Sequence, residues 1–441
     1  MKNVLVFILS FLFIFAVKGG TTSCDFTSVE AKIDGLLQTY PEIPGAGLVI
    51  GYEDEVFYEK YWKIYTENTI VPLASATKLL SGVTIMGLVD VGLIDLDAPV
   101  NGYLPEFTGD KAQMTVRQMF SHTAGMPINR LLENTYILNA YNGLTLAQAV
   151  SVLACCEPLM YEPNTAFAYG GASMHIAGRV AEVVSNKSWP DVFSQYLTTP
   201  LGINSMDFNG LGVTLNYRPA GGAKSSLPDY AKVLNMLLNK GRYHTTRLLS
   251  EQAVEEMLID NVLDKQIIFP PEDSGIISRY GIGMWLRLNY LDGSLTGIHS
   301  AGARGFTPWI DYDLDYYAAF MVDDDNTRIK ATMAEVREEI RQILSNNWCG
   351  TQPKPVTKEL GLWYDPQHNG HGFEIQKIGN NHAGVFYTFT QQGEPIWYLM
   401  DVKNQQDGIS GDLLYVKNTG TSNALQIDSH SVGNFVINFN P

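Results

Sequence analysis

The segment VPLASATKLL, residues 71–80, decides the fold and the chemistry predicted for this chain, because it places a serine hydroxyl and a lysine ammonium one helical turn apart among apolar residues. Side chains three residues apart on a helix share a face, with Cβ atoms about 5–6 Å apart. A serine hydroxyl becomes a good nucleophile only when a base removes its proton, and a lysine becomes such a base when burial lowers its pKa. Ser75 and Lys78 are therefore the candidate nucleophile and base.

The surroundings of this S-x-x-K motif carry weight, since about one or two matches to it arise by chance in a chain of average composition and this length. Before it, residues 45–63, GAGLVIGYEDEVFYEKYWK, predict a β-hairpin. The motif then opens a helix, and Ala74, Ala76 and Thr77 leave room around the hydroxyl. This placement favours a catalytic lysine over a structural one.

Other elements are predicted from periodicity and capping residues. Thr27 and Glu30 form a predicted capping box, and apolar residues at helical spacing follow it. Residues 80–260 are predicted to be mainly helical, with Thr145 and Gln148 capping one segment and Ser250 capping another. Three strands of one antiparallel sheet are predicted within 294–325, and a last amphipathic helix ends near Asn346.

Four further segments carry a resemblance to a known family. They are MFSHTAGMP at 119–127, YEPNTAFAYGGASMHIAGRVAE at 161–182, GGAKSSLPDYAKVLNMLLNKGRY at 221–243 and HSAGARGFTPWID at 299–311. With the S-x-x-K motif, they make residues 26–347 resemble the serine β-lactamase and penicillin-binding-protein superfamily, and most closely its class C β-lactamase-like esterases and D-aminopeptidases. The resemblance implies an α+β fold: an antiparallel five-stranded sheet flanked by helices, with a helical lobe.

The resemblance also implies roles for single residues. Tyr169 matches the catalytic tyrosine, whose phenol relays a proton between nucleophile and leaving group; an ordinary cleft tyrosine is the alternative. His299 stands where the family has a lysine, and a mostly neutral imidazole offers a hydrogen bond in place of a charge. The alternative is a strand-end histidine that touches water. The backbone N–H groups of Ser75 and Gly302 match the two oxyanion donors.

The residues expected to contact substrate depart from the family pattern in two places. Gly171 stands where the family often has Asn, so it has no amide to bind a substrate's amide side chain, and Ala301 replaces a glycine. Arg304 either attracts a substrate carboxylate or forms a surface salt bridge. These departures favour an ester or small amide over a β-lactam. The expected substrate-binding residues are Gly171, Ser300, Ala301 and Arg304.

The N-terminus predicts export. Residues 1–23 contain Lys2, a mainly apolar run from Val4 to Val17, and small residues up to Ser23, which indicates a cleaved signal peptide. The run is shorter than the about 20 apolar residues of a membrane span. We therefore expect a secreted or periplasmic protein with no membrane insertion after cleavage; a retained anchor and a lipid-modified Cys24 are the alternatives.

The chain has four cysteines, and export permits disulfides. In the fold that the resemblance implies, Cys24 precedes the first helix and Cys349 follows the last, at one end of the sheet. This implies a Cys24–Cys349 disulfide with Cα atoms roughly 4.4–6.8 Å apart. The adjacent Cys155 and Cys156 are predicted to be buried thiols, because a vicinal disulfide strains the backbone.

The C-terminal part changes character after a proline-containing linker, GTQPKPVTK at 350–358. It separates the hydrolase domain, residues 24–349, from a small all-β domain, residues 359–441. This domain contains two aromatic pairs, Trp363-Tyr364 and Trp397-Tyr398. They are predicted to pack in its core, and binding of a glycan or another cell-surface ligand is the alternative. The H-x-x-H-x-x-E spacing of His368, His371 and Glu374 is predicted to consist of turn residues rather than metal ligands.

The counts of acidic and basic residues limit the kinds of molecule that the protein is expected to bind. With 46 acidic and 30 basic residues the net charge is -16, which disfavours nucleic acid and anionic membranes. No P-loop or zinc-binding motif is present, so no cofactor or metal is predicted. The predicted function is an exported serine hydrolase that acylates Ser75 and cleaves small esters, amides or peptides. The alternatives are a D,D-carboxypeptidase or β-lactamase, and a non-catalytic binding protein on the same scaffold.

Overall fold

The computed structural model describes residues 24–128, 143–269, 279–289 and 293–346, together with the C-terminal strands given below. It divides into two compact units, one formed mainly by Asp25–Ser345 and one formed mainly by the C-terminal strands. The predicted signal peptide and linker lie outside the described residues. Among the helices that are described, none is both long enough and apolar enough to cross a membrane.

The first unit alternates between sheet and helices. Its helices are α1 (Thr27–Thr39), α2 (Thr77–Asp90), α3 (Val116–Phe120), α4 (Leu146–Cys156), α5 (Ala172–Ser185), α6 (Trp189–Phe193), α7 (Leu227–Leu238), α8 (Glu251–Met257) and α9 (Asn326–Asn346). A 3₁₀ turn, Ala74–Ala76, leads directly into α2. Its strands are β1 (Gly45–Tyr52), β2 (Glu55–Lys63), β3 (Ile70–Pro72), β4 (Ala166–Ala168), β5 (Lys224–Ser226), β6 (Arg242–Tyr243), β7 (Thr246–Arg247), β8 (Gln266–Phe269), β9 (Trp285–Leu288), β10 (Leu295–His299), β11 (Thr307–Asp311) and β12 (Tyr316–Met321).

The core of this unit is an antiparallel sheet in the order β2-β1-β12-β11-β10-β9. The predicted α+β class and antiparallel sheet are confirmed, but the sheet has six strands where five were expected. The additional strand, β9, is a four-residue edge strand paired with β10. Its Arg287 interrupts the apolar pattern from which strands are predicted, and the buried Asp311 of β11 neutralises that charge at 2.7 Å.

Helices pack against this sheet. β1 and β12 are buried along their whole length, as strands covered on both faces are. α7 packs on β1 and β12. α1 and α9 lie side by side, and Lys32 of α1 forms an ion pair with Glu335 of α9 at 3.5 Å. The predicted apolar positions of α9 that are buried include Val336 and Ile340.

One predicted cap is wrong. α1 begins after Phe26, whose side chain makes no capping hydrogen bond, and the N–H of Thr27 donates to Asp25 Oδ1 at 2.9 Å. Glu30 instead forms an ion pair with Lys60 of β2 and accepts a hydrogen bond from the Tyr58 hydroxyl at 3.0 Å. The Glu30 carboxylate, which the local sequence pattern assigned to the start of the helix, therefore pairs with the positive charge of Lys60 instead.

The cysteines of α4 also differ from the prediction. Cys155 and Cys156 are exposed and form a disulfide with each other, with Cα atoms 3.8 Å apart. The prediction of buried thiols was wrong. Both cysteines lie at the end of α4, where their side chains reach solvent instead of packing in the core. Cys349, the predicted partner of Cys24, lies outside the described residues, so that pairing stays a prediction.

The second unit contains an antiparallel sheet whose strands follow chain order. Trp397 was predicted to lie in the core and is 62% exposed, whereas Met400 is buried. Both residues lie on strand β16 (Pro395–Gln405), and the alternation of side chains along a strand places them on opposite faces. His368 and His371 lie outside the described residues. The strands are β13 (Gly361–Tyr364), β14 (Gly372–Ile378), β15 (Asn381–Phe389), β16 (Pro395–Gln405), β17 (Gly408–Asn418) and β18 (Ile427–Asn438).

Candidate active site

The S-x-x-K motif forms a direct contact. Ser75 lies in the 3₁₀ turn, and Lys78 lies in the first turn of α2, with its Nζ 3.1 Å from Ser75 Oγ. The same Nζ donates to the carbonyl of Ala220 at 2.8 Å. Ala74, directly before the serine, has φ 46°, an uncommon conformation for a residue other than glycine and one often found at functional sites.

Burial sets the protonation of Lys78. The side chain is only 4% exposed because α2 is surrounded by protein along most of its length. Burial, with a smaller contribution from the positive charge of Arg218, lowers the pKa of Lys78 from 10.5 to about 7. Near neutral pH a large share of this amine is therefore unprotonated and able to accept the proton of Ser75.

Tyr169 completes the contacts of the serine hydroxyl. It follows β4, its phenol lies close enough to the Ser75 hydroxyl for Ser75 to influence its pKa, and Lys78 Nζ lies 4.6 Å from the centre of its ring. Burial raises the pKa of Tyr169 to about 12, against a lowering contribution from the Ser75 hydrogen bond. The phenol therefore keeps its proton at neutral pH. Ser75 Oγ lies between one group that can accept a proton and one that can donate it.

An indole connects the tyrosine to the predicted histidine. Trp285 of β9 stacks on Tyr169 at 5.2 Å between ring centres and on His299 at 6.3 Å. Burial, followed by the charges of Arg337 and Arg287, lowers the pKa of His299 to about 3. The imidazole is therefore uncharged across the physiological range. Trp285 was not predicted as a site residue, because β9 itself was not predicted.

Comparisons with known proteins agree with this arrangement. A family model described as Beta-lactamase matches residues 33–342. The chain belongs to the β-lactamase family. The predicted resemblance is confirmed, and the relatives and structural neighbours of this family member include penicillin-binding proteins, esterases and amidases.

The curated relatives match only part of their length. Penicillin-binding protein 4 from Amycolatopsis lactamdurans is 28% identical over 193 residues, 41% of this chain and 48% of that protein. Esterase EstB from Burkholderia gladioli is 24% identical over 212 residues, 42% of this chain and 53% of that protein. The chain thus spans about half the length of these relatives.

Solved structures share the fold. A protein from Bacteroides dorei assigned to the β-lactamases has a TM-score of 0.65 and 27% identity, and the alignment covers 73% of this chain and 100% of that one. A family VIII carboxylesterase has a TM-score of 0.60 and 22% identity, covering 73% of this chain and 98% of that one. At 22% identity the second match shows the fold alone.

Two predicted substrate-site residues of this β-lactamase family member are engaged within the protein. The N–H of Gly302, a predicted oxyanion donor, donates to the carbonyl of Phe306 at 2.8 Å. The turn that joins β10 to β11 uses this group, so it is not a free donor. Arg304 forms a salt bridge with Asp323, which is the surface alternative of the two predicted for it.

The remaining predicted positions lie near the serine or beside the tyrosine. Ser300 is buried and its hydroxyl donates to the carbonyl of Ser75 at 3.4 Å. Gly171 precedes α5, two residues after Tyr169, and contributes no side-chain amide. The N–H of Ser300 donates to Pro308 of β11 and that of Gly302 donates to Phe306, just before β11, whereas the N–H of Ala301 between them takes part in neither bond. Ala301 is therefore the better candidate for the second oxyanion donor.

His122 is a further residue of the site that was not predicted. It lies in MFSHTAGMP, a segment used only as a family landmark, and a single histidine in a polar turn gives no separate signal. Its side chain is buried, and the centre of its ring is 4.6 Å from that of Tyr169. Tertiary packing alone reveals this contact.

Proposed function

We propose that this β-lactamase family member is an exported serine hydrolase that cleaves esters or small amides through an acyl-enzyme on Ser75. One observation carries the proposal: Ser75 Oγ accepts a hydrogen bond from Lys78 Nζ at 3.1 Å, and the phenol of Tyr169 lies close enough to the same hydroxyl for Ser75 to influence its pKa. Acyl transfer needs a hydroxyl placed between a proton acceptor and a proton donor.

The proposed reaction has two halves. Uncharged Lys78 takes the proton of Ser75 Oγ while the oxygen bonds to the carbonyl carbon and the carbonyl electron pair moves onto its oxygen. Tyr169 gives its proton to the leaving oxygen or nitrogen as the bond between that atom and the carbonyl carbon breaks. The proton held by Lys78 then restores the phenol. Water then replaces the leaving group, the same proton transfers repeat, and the acid is released from Ser75.

The negative oxygen of the intermediate needs fixed donors. The N–H of Ser75, at the start of the helix, is the first donor in the proposed site. We assign the second to Ala301 rather than Gly302, because the Gly302 N–H is bonded to Phe306.

The proposed substrate class follows from two residues. Gly171 has no amide to bind a peptide-like side chain, and His299, with a pKa of about 3, offers no positive charge for a substrate carboxylate. Both favour uncharged esters or small amides. The name of Esterase EstB among the curated relatives supports this choice.

A D,D-carboxypeptidase or β-lactamase is the second candidate. The 28% identity to penicillin-binding protein 4 favours it. Nitrocefin and a D-alanyl-D-alanine peptide test it beside p-nitrophenyl acetate. Turnover of the acetate alone supports the esterase, and faster turnover of nitrocefin or the peptide would replace the esterase by the second candidate.

The predicted signal peptide supports the export part of the proposal. Its mainly apolar run ends in small residues before Cys24. We propose that cleavage releases a secreted or periplasmic enzyme. N-terminal sequencing of the protein secreted by its source checks this: a mature chain that starts close to Ser23 is expected, and one that still starts at Met1 contradicts it.

The nucleophile is tested by covalent labelling. A fluorophosphonate probe should label the purified protein, and peptide mapping should place the adduct on Ser75. Ser75→Ala should lose labelling and about 10³-fold or more in kcat. Lys78→Ala should lose turnover while the protein stays folded, because the base is removed.

Lys111 provides the matched control for the lysine variant. Its ammonium also donates to two backbone carbonyls, those of Leu153 and Ala154, but lies outside the site. Lys111→Ala should therefore keep its activity. Full turnover in Ser75→Ala would contradict the acyl-enzyme on Ser75, and folded wild-type protein that never reacts with the probe would favour a binding protein.

A further inference from the structure

His122 contacts the chain on both sides of Tyr169. Its carbonyl accepts the N–H of Ala168 at 3.0 Å, and its Nδ1 accepts the N–H of Gly170 at 3.5 Å. The hydroxyl of Tyr161 donates to the same carbonyl at 3.0 Å. The N–H groups of the residues immediately before and after the proposed proton donor are thus bonded to one residue.

The imidazole also packs in an aromatic cluster. Its ring centre lies 4.6 Å from that of Tyr169, 4.8 Å from Tyr280 and 5.8 Å from Phe167. The side chain is 2% exposed. Burial, with the nearby charge of Lys78, keeps the pKa of His122 well below its ordinary value of 6.5. The ring is therefore uncharged, and with Nδ1 as an acceptor its proton lies on Nε2.

Packing alone does not account for a histidine here. Nε2 is buried and has no hydrogen-bond partner among the described residues, which costs free energy that an apolar ring would avoid. The backbone of His122 has φ 60°, in the left-handed region that histidine and asparagine tolerate better than bulky residues do. What the imidazole adds to an apolar ring is the acceptor at Nδ1.

We propose that His122 is a positioning residue: by accepting hydrogen bonds from the N–H groups of Ala168 and Gly170 and packing on the ring of Tyr169, it holds the Tyr169 phenol beside the hydroxyl of Ser75. The inference rests on the acyl transfer proposed above and assigns His122 no contact with substrate. His122 acts through Tyr169.

Substrates with different leaving groups distinguish a positioning role of His122 from a general role in packing. A p-nitrophenolate leaves without a proton, whereas an alkoxide needs one from Tyr169 as the bond breaks. Misplacing the phenol should therefore slow alkyl esters more than aryl esters. Loss of fold would slow both classes equally.

The experiment compares His122→Phe, which keeps the ring but removes the acceptor, with His122→Asn, which keeps an acceptor and tolerates the left-handed backbone. For an alkyl ester, we expect His122→Phe to lower kcat by about 10–100-fold with little change in KM, and p-nitrophenyl acetate to lose only a few-fold. His122→Asn should recover most of the alkyl ester activity. Thermal unfolding is measured for each variant.

A double-mutant cycle tests the route through the tyrosine. In a Tyr169→Phe background, His122→Phe should have less than about a twofold further effect. A full multiplicative loss in that background, or equal losses on both ester classes, would overturn the positioning role. If His122→Phe does not fold, the same cycle with His122→Gly decides, because glycine tolerates the left-handed backbone and also lacks the acceptor. An equal loss of activity in both backgrounds contradicts the inference.

Failure of this inference is distinguishable from failure of the proposed function. If the function is wrong, hydrolysis by the wild-type protein survives Ser75→Ala. If only the inference is wrong, Ser75→Ala stays inactive and the His122 cycle alone departs from expectation.

Discussion

Burial disfavours the charged form of each of three titratable groups around Ser75. Lys78 has a pKa of about 7, Tyr169 one of about 12 and His299 one of about 3. Burial is the first cause in all three. In low dielectric a charge costs free energy, so the amine loses a proton, the phenol keeps one and the imidazole stays neutral. The site thus holds its base and its acid in the states that acyl transfer starts from.

This charge pattern predicts the pH dependence of activity. Protonation of Lys78 removes the base, so kcat/KM should fall as pH is lowered through about 7, by about tenfold per unit below that value. The fall at high pH should lie near 12, where Tyr169 ionises. A pH series with p-nitrophenyl acetate measures the midpoint.

The matched control for this series is His299→Gln. The pKa of His299, about 3, lies far from the expected midpoint, so this variant should keep the wild-type midpoint even if its rate falls. A midpoint that disappears in His299→Gln would assign the titration to the imidazole. A rate that does not change between pH 5 and 9 would remove Lys78 as the base.

At the scale of elements, prediction succeeded where local sequence decides the structure. The S-x-x-K spacing placed Lys78 against Ser75 because both lie within one helical turn. The cap of α4 by Thr145 was also predicted and is present. The family resemblance placed Tyr169, which no spacing could, because β4 and α2 are distant in sequence.

Prediction failed where a tertiary partner competes with a local one. Glu30 leaves the start of α1 for Lys60, and the N–H of Gly302 goes to Phe306 across a turn. β9 needs Asp311 to neutralise its arginine, and His122 becomes part of the site only through contacts with residues about 45 positions away, such as Gly170. None of these partners is visible in the local pattern.

The β10–β11 turn yields a prediction about Gly302. A Cβ on this residue would lie 2.1 Å from the carbonyl oxygen of Leu73, two residues before the serine. Because both sides of this contact are backbone, Gly302→Ala should cost about 1–3 kcal/mol of unfolding free energy and displace the turn that carries Ser75. We expect a lower urea midpoint and a kcat at least about tenfold lower.

Gly102→Ala is the control for this substitution. A Cβ at Gly102 meets nothing within 4 Å, so its unfolding free energy should stay within about 0.5 kcal/mol of wild type. Equal urea midpoints for the two alanine variants would show that residues 73 and 302 do not approach each other closely.

At the scale of the whole molecule, ion pairs join elements that are distant in the chain. Asp311 is fully buried in the central sheet and pairs with Arg287 of β9 and Arg341 of α9. Lys32 of α1 pairs with Glu335 of α9. The last helix is thus bound both to the sheet that carries His299 and to the first helix, so the two ends of the hydrolase domain are held together.

The proximity of the two ends supports the predicted Cys24–Cys349 disulfide. Cys24 lies just before α1, and α9, which runs beside α1, ends at Asn346, three positions before Cys349. A covalent link there would close almost the whole domain, and loss of a native disulfide costs about 2–5 kcal/mol in small secreted domains.

Digestion without reductant should release a cross-linked peptide containing both residues, separate from the peptide of Cys155 and Cys156. Cys24→Ser should unfold at lower urea than Cys155→Ser, whose loop closes over adjacent residues only. Free thiols at 24 and 349 in the exported protein, or equal midpoints for the two variants, would contradict the pairing.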